Sequence, residues 1–136
     1  MSSKTSVTCN LSHPKYLTSI KAKKHEFNVD EPVEYGGEDT APKPTEYLLG
    51  ALAACTAITI KMYAERKEWE IGEIKVAVDL KKEDNSSVNT ITKNVSFQQE
   101  LSDEKIEKLL KIGEKCPVSK MLAQPVKMKL ISKKIN

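Results

Sequence analysis

Between Tyr47 and Ile60, only Gly50, Thr56 and Thr59 interrupt an apolar run. Ala, Leu and Ile dominate it, and Pro44-Thr45 stands where a helix starts, so the pattern predicts a helix over 45–67. A helix that is greasy on all sides belongs in the middle of a core. Lys61, Glu65, Arg66 and Lys67 then return it to water. The run is shorter than the roughly 18 residues that a bilayer span takes. The opening MSSKTSVTCN lacks the charged-then-apolar pattern of a secretion leader, so the expected setting is cytoplasmic, with no membrane partner. The chain has 136 residues and is read as one domain, 1–136. With aromatic residues at 5%, its core must be mainly aliphatic, and one copy is poorly equipped to surround such a helix. A second copy is expected to supply the missing wall, as in an obligate homodimer.

The rest of the chain alternates short elements around that helix. Ser6–Leu11, Tyr16–Ala22 and His25–Val29 read as strands. From Asp30 to Pro44 the density of Pro and Gly, with Gly36-Gly37 supplying a turn, marks a loop between strand and helix. Beyond the helix, Ile74, Val76, Val78 and Leu80 alternate with Glu73, Lys75 and Asp79. After a turn at Asp84-Asn85-Ser86-Ser87, the residues Ile91, Val95, Phe97 and Leu101 form a matching apolar face, which predicts a hairpin. Ser102 is a suitable N-cap, with Asp103 and Glu104 in the first turn of a helix ending near Gly113. Cys116-Pro117 begins a further short helix, and Val126, Met128 and Leu130 read as a closing strand. The order of elements predicts an α+β fold with antiparallel sheets around the buried helix.

Charge excludes some functions. Twenty-two basic and nineteen acidic residues leave a net charge of +3, too small and too mixed to indicate nucleic-acid binding. The frame of a phosphate-binding loop is absent around Gly36-Gly37. No C-x-x-C occurs, and His13 and His25 fit no ligand spacing, so neither a metal nor another cofactor is expected.

The three cysteines therefore carry the chemistry, if any residues do. Cys55 lies among small residues, Gly50-Ala-Leu-Ala-Ala-Cys55-Thr-Ala57, which lets a backbone or a small substrate approach its sulfur. An inert core thiol is the competing reading. Cys116 is read as the N-cap of the helix that Pro117 opens, where free N–H groups, with Lys115 and Lys120 nearby, favour a thiolate. Cys9 has no basic helper and is read as structural. Remote in sequence, Cys55 and Cys116 suit a reversible disulfide pair: a thiolate attacks a peroxide, and a second thiol condenses the sulfenic acid to a disulfide. His25 as the base of a cysteine hydrolase would need an oriented Cys–His pair, which the spacing does not indicate.

The stretch from His25-Glu-Phe-Asn-Val-Asp30 through Gly36-Gly37 and Pro42-Lys-Pro-Thr-Glu46 to Cys55-Thr-Ala resembles the OsmC/Ohr superfamily of cysteine peroxidases. Lys115-Cys116-Pro117-Val118-Ser119 resembles the second cysteine motif of that family. The resemblance implies an intertwined homodimer with two sites at the subunit interface. It also implies Cys55 as the peroxide-attacking residue, Cys116 as the resolving one and a carboxylate, here Glu46, beside them. The substrate would be an organic hydroperoxide or hydrogen peroxide, with a thiol or dithiol as reductant. Two departures stand out. The only arginine is Arg66, at the far end of the helix, and the position where the family keeps its glutamate is Thr45, one before Glu46. On a straight helix Glu46 lies about 180° around from Cys55, at about 100° per residue. Local electrostatics favour Cys116 as the more acidic thiol, whereas the resemblance makes Cys55 the nucleophile. The assignment follows the resemblance, since a partner subunit can supply charge near Cys55. The alternative function is a non-catalytic dimer that binds a small apolar ligand at its interface.

Overall fold

The apolar run folds as a helix, α1, spanning Pro44–Arg66 in the computed structural model, which describes residues 4–85 and 87–135. Its start is fixed locally: Pro44 takes the first helical position, and the Glu46 carboxylate accepts the Lys43 N–H at 3.0 Å. Its end is a Schellman turn, with Glu68 in the left-handed region at φ 56°. There Trp69 N–H donates to Ala64 O at 2.9 Å and Glu68 N–H to Glu65 O at 3.1 Å. The Tyr63 and Trp69 rings meet edge to face across that turn, supplying the apolar contact such ends favour.

One copy of the chain does not surround this helix. Only one stripe, Leu52, Thr56, Ile60 and Ala64, is buried, four residues apart so that they share a face. Leu48, Ile58 and Met62 remain exposed, because one copy of the chain covers one side of a helix that is apolar on several. The helix continues through Met62, Tyr63 and Ala64, beyond the apolar run of Tyr47–Ile60. By length and composition α1 could cross a membrane.

The chain forms two compact units, one up to Gly50 and one from Ala51 onward. The first holds a three-stranded antiparallel sheet, β1 (Thr8–Asn10), β2 (Thr18–Ala22) and β3 (His25–Val29), in the order β1-β2-β3. The strand expected from Ser6 and the one expected from Tyr16 are both shorter than read, while β3 matches residue for residue. After it, Asp30 anchors the loop. Its carboxylate accepts the Thr40 hydroxyl at 2.7 Å, the Thr40 N–H at 3.1 Å and the Glu31 N–H at 2.7 Å. A 3-10 turn at Val33–Tyr35 follows, closed by Gly36 at φ 93°. Gly37 cannot carry a side chain, because a Cβ there would lie 2.0 Å from the Glu31 carbonyl oxygen.

The second unit holds the hairpin of β4 (Ile74–Lys82) and β5 (Asn89–Phe97), then α2 (Asp103–Gly113) and α3 (Pro117–Leu122). Asp84 and Asn85 form the hairpin turn, and Ser86 of the expected turn lies outside the described residues. Ile74 pairs with Phe97, Val76 with Val95, Val78 with Lys93 and Leu80 with Ile91, so the two apolar alternations share one face. Ile60, Ala64, Ile71 and Leu109 form the core cluster, with Tyr63, Trp69, Ile74, Val95, Phe97 and Leu101 packed around it. Ser102 caps α2 through the Lys105 N–H, as its sequence indicates. The closing strand is not formed: the backbone from Val126 to Leu130 makes no ladder among the described residues. Val126, Met128 and Leu130 are exposed. Alternation marks a segment able to pair, and this one finds no neighbouring strand in its own chain. The architecture is α+β with antiparallel sheets.

Candidate functional site

Cys116 is set by the junction of α2 and α3. Gly113 ends α2 close against α1; a Cβ there would sit 3.0 Å from Ile60 Cδ1 and 3.3 Å from Thr56 Cγ2. A side chain there would make those neighbours give by a few tenths of an ångström. Three residues on, Cys116 N–H donates to the Gly113 carbonyl at 3.3 Å, and Cys116 becomes the N-cap of α3 with Pro117 at the first helical position. Its sulfur accepts the Ser119 N–H at 3.3 Å and is wholly buried.

Thr56 faces it from α1. The Thr56 hydroxyl lies 3.6 Å from Cys116 Sγ and also donates to the Leu52 carbonyl at 2.9 Å. A hydroxyl has one proton, so the two bonds depend on the state of the sulfur. With Cys116 protonated, its S–H donates to Thr56 while Thr56 donates to Leu52. With Cys116 ionised, the Thr56 proton turns to the sulfur. On the other side Lys93, half-buried in β5, donates from Nζ to Ser119 Oγ at 3.3 Å.

These neighbours decide the charge of the thiol. Burial pushes its pKa up, since a thiolate loses water. The Ser119 N–H, the Thr56 hydroxyl, the Cys55 side chain and the Lys93 charge together outweigh that and bring it below the ordinary thiol value. Cys55 is thus among the neighbours that lower the Cys116 pKa, and both thiols are free. Cys55 is half-buried on α1, next to Thr56. Beside the cluster is a cavity of about 170 Å³ lined by Thr56, Ile60, Lys93, Val95, Leu110, Gly113 and Glu114.

Other candidate residues are engaged elsewhere. Glu46 lies inside the first turn of α1, not before it, with its carboxylate on the Lys43 N–H. Arg66 lies in the last turn of α1, 5.9 Å from the Tyr63 ring centroid. Cys9 is exposed on β1 opposite Ile20, rather than the buried structural thiol expected of it. His25 is exposed at the start of β3, paired with Ala22.

Sequence reasoning missed Lys93 and the role of Thr56. Both carried a signal. Lys93 shares its strand face with Ile91, Val95 and Phe97, and Thr56 interrupts an apolar helix at a position of the buried stripe. A polar side chain on an apolar face costs desolvation unless something pairs with it.

A family model described as OsmC-like protein matches residues 36–131. No match was found among curated proteins. Among solved structures, the chain is similar to a protein named for osmotic stress induction and detoxification response from Psychrobacter arcticus. That match has TM-score 0.75 and 23% identity, covering 89% of this chain and 90% of the other. It is also similar to an organic hydroperoxide resistance protein OsmC from Legionella pneumophila, at TM-score 0.68 and 16% identity, covering 88% and 89%. A third is the organic hydroperoxide resistance protein OhrB of Bacillus subtilis, at TM-score 0.59 and 24% identity, covering 87% and 89%. At these identities the structures speak for the fold.

Proposed function

From the premise that the chain belongs to the OsmC-like protein family, we propose that it is a thiol-dependent peroxidase that reduces organic hydroperoxides or hydrogen peroxide. The observation that carries the reading is the pairing of two free thiols, Cys55 beside Cys116, with the pKa of the second brought below the ordinary thiol value. Named neighbours concerned with hydroperoxide resistance support a role in peroxide stress.

In the proposed cycle, the Cys55 thiolate attacks the distal oxygen of the hydroperoxide. The O–O bond breaks, the alcohol leaves with a proton, and Cys55 becomes a sulfenic acid. The Cys116 thiolate then attacks that sulfur, hydroxide leaves and is protonated to water, and a disulfide forms. An external thiol or dithiol returns both cysteines to the reduced state. No metal or organic cofactor is called for, and the reductant fits a cytoplasmic setting. Because its carboxylate is held on the Lys43 N–H of its own chain, Glu46 would join the proposed set across the subunit interface; Glu46→Gln is expected to slow peroxide consumption, and unchanged turnover would remove it from the set.

We read the whole chain as one domain, since the family match runs across both compact units. The working form is proposed to be a homodimer. Leu48, Ile58 and Met62 on α1, and Met128 and Leu130 near the C-terminus, form apolar surface that a second copy would cover. Sedimentation at micromolar concentration is expected to show a dimer; a stable folded monomer would overturn this part.

The activity is tested by peroxide consumption with a dithiol reductant. Cys55→Ser is expected to abolish turnover, while Cys9→Ser keeps it. If the unmodified protein keeps all its thiols at millimolar peroxide, the alternative holds instead: a non-catalytic dimer with a small apolar ligand at its interface.

A further inference from the structure

We propose that Lys93 is a positioning residue of the thiol pair: bonded to Ser119, it holds Cys116 ready as a thiolate and so sets how fast Cys116 closes onto an oxidised Cys55. The catalytic consequence rests on the peroxidase reading; the effect on Cys116 does not.

Lys93 occupies a costly place. It pairs with Val78 and shares its face with Ile91, Val95 and Phe97, where an aliphatic residue would fit the alternation. Lysine can lay its stem along such a face only if its ammonium finds a partner or water. Its hydrogen bond is to the Ser119 hydroxyl at 3.3 Å. Among the described residues the one salt bridge joins Lys111 to Glu107, so no carboxylate neutralises Lys93 by direct contact. Ser119 connects the two groups: its hydroxyl accepts from Lys93 and its N–H donates to Cys116 Sγ at 3.3 Å. Thr56 Oγ1 lies 3.6 Å from the same sulfur.

The groups facing the sulfur are few. Cys55 and Thr56 come from α1, Lys93 from β5 and Ser119 from α3. Glu114, just beyond α2, lines the same small cavity as Lys93 and Thr56, while Lys115 and Lys120 flank the cysteine in sequence. Lys93 is the charged group among them that favours the thiolate, adding a smaller effect in the same direction as Ser119, Thr56 and Cys55. In the resolving step the Cys116 thiolate attacks the Cys55 sulfenic sulfur, the S–O bond breaks, and the departing hydroxide is protonated to water. Removing Lys93 lowers the fraction of Cys116 ready for that attack.

The test uses the full chain with Cys9→Ser and Cys55→Ser, so that Cys116 is the remaining thiol, and follows its ultraviolet thiolate absorbance against pH. Lys93→Met is expected to move the midpoint up, leaving less thiolate at neutral pH. Lys93→Arg, which keeps the charge, is expected to stay near the parent. A Lys93→Met midpoint equal to the parent overturns the assignment, and Lys93→Gln replaces it if the methionine variant does not fold. In a second arm, Cys9→Ser protein is mixed with cumene hydroperoxide and a sulfenic-acid trap. Lys93→Met is expected to leave several-fold more trapped Cys55 than its parent, and equal trapping in the two counts against the proposal. If the parent yields neither sulfenic acid nor disulfide, the peroxidase reading fails, while a shifted midpoint still assigns Lys93.

Discussion

Up to Gly50, the buried side chains among the described residues are Val29 and Asp30, whereas beyond it Ile60, Ala64, Ile71 and Leu109 close into an apolar cluster. The first unit leans on directed bonds: two strand ladders and a loop gathered around one carboxylate. The second leans on volume, and its buried Thr56 and Cys116 face each other within it. A unit held by hydrogen bonds should respond to geometry and pH, and one held by packing to lost methylenes. The thiol pair sits in the packed unit, where fixed neighbours tune a sulfur better than water does.

Three substitutions sharpen the contrast. The largest effect is expected for Leu109→Ala, which empties a wholly buried position. A loss of about 2–5 kcal/mol in denaturant unfolding is expected, and a near-neutral result would mean the cluster is not what holds the second unit. Gly37→Ala comes next, since its Cβ would fall 2.0 Å from the Glu31 oxygen. About 1–3 kcal/mol is the usual scale for such overpacking, and unchanged melting would show the loop to be loosely held. The smallest effect concerns pH. The Thr40 hydroxyl, then the Glu31, Thr40 and Glu38 N–H groups, lower the Asp30 pKa, with burial opposing them. A carboxyl lowered on folding stabilises the protein above its unfolded pKa and loses that contribution as pH falls through the folded value. Melting of Asp30→Asn should therefore fall below that of the parent at neutral pH, with the gap closing in acid. A gap that persists at low pH would break the argument.

Much of this was legible in the sequence, for reasons that are local. β3 at His25–Val29, α2 ending at Gly113 and Cys116 capping the helix that Pro117 opens all follow from patterns within a few residues. The closing strand at Val126–Leu130 did not, because alternation says which face is apolar but not whether a neighbour exists. The apolar helix has the same limit: composition reports how much surface needs covering, not which chain covers it. Lys93 escaped notice because its meaning lies in what it meets, Ser119 on another element. The nearness of Cys55 to Cys116 was an expectation from motif and spacing; Gly113, close against Ile60 and Thr56 of α1, lies three residues before Cys116.

That nearness is also the most direct point of attack. The protein is treated with one equivalent of an organic hydroperoxide, free thiols are alkylated at once, and the peptides are mapped by mass spectrometry. A disulfide joining Cys55 to Cys116, with Cys9 recovered alkylated, is the predicted result. Recovery of Cys55 and Cys116 as free thiols after the oxidant has had time to react would contradict the account.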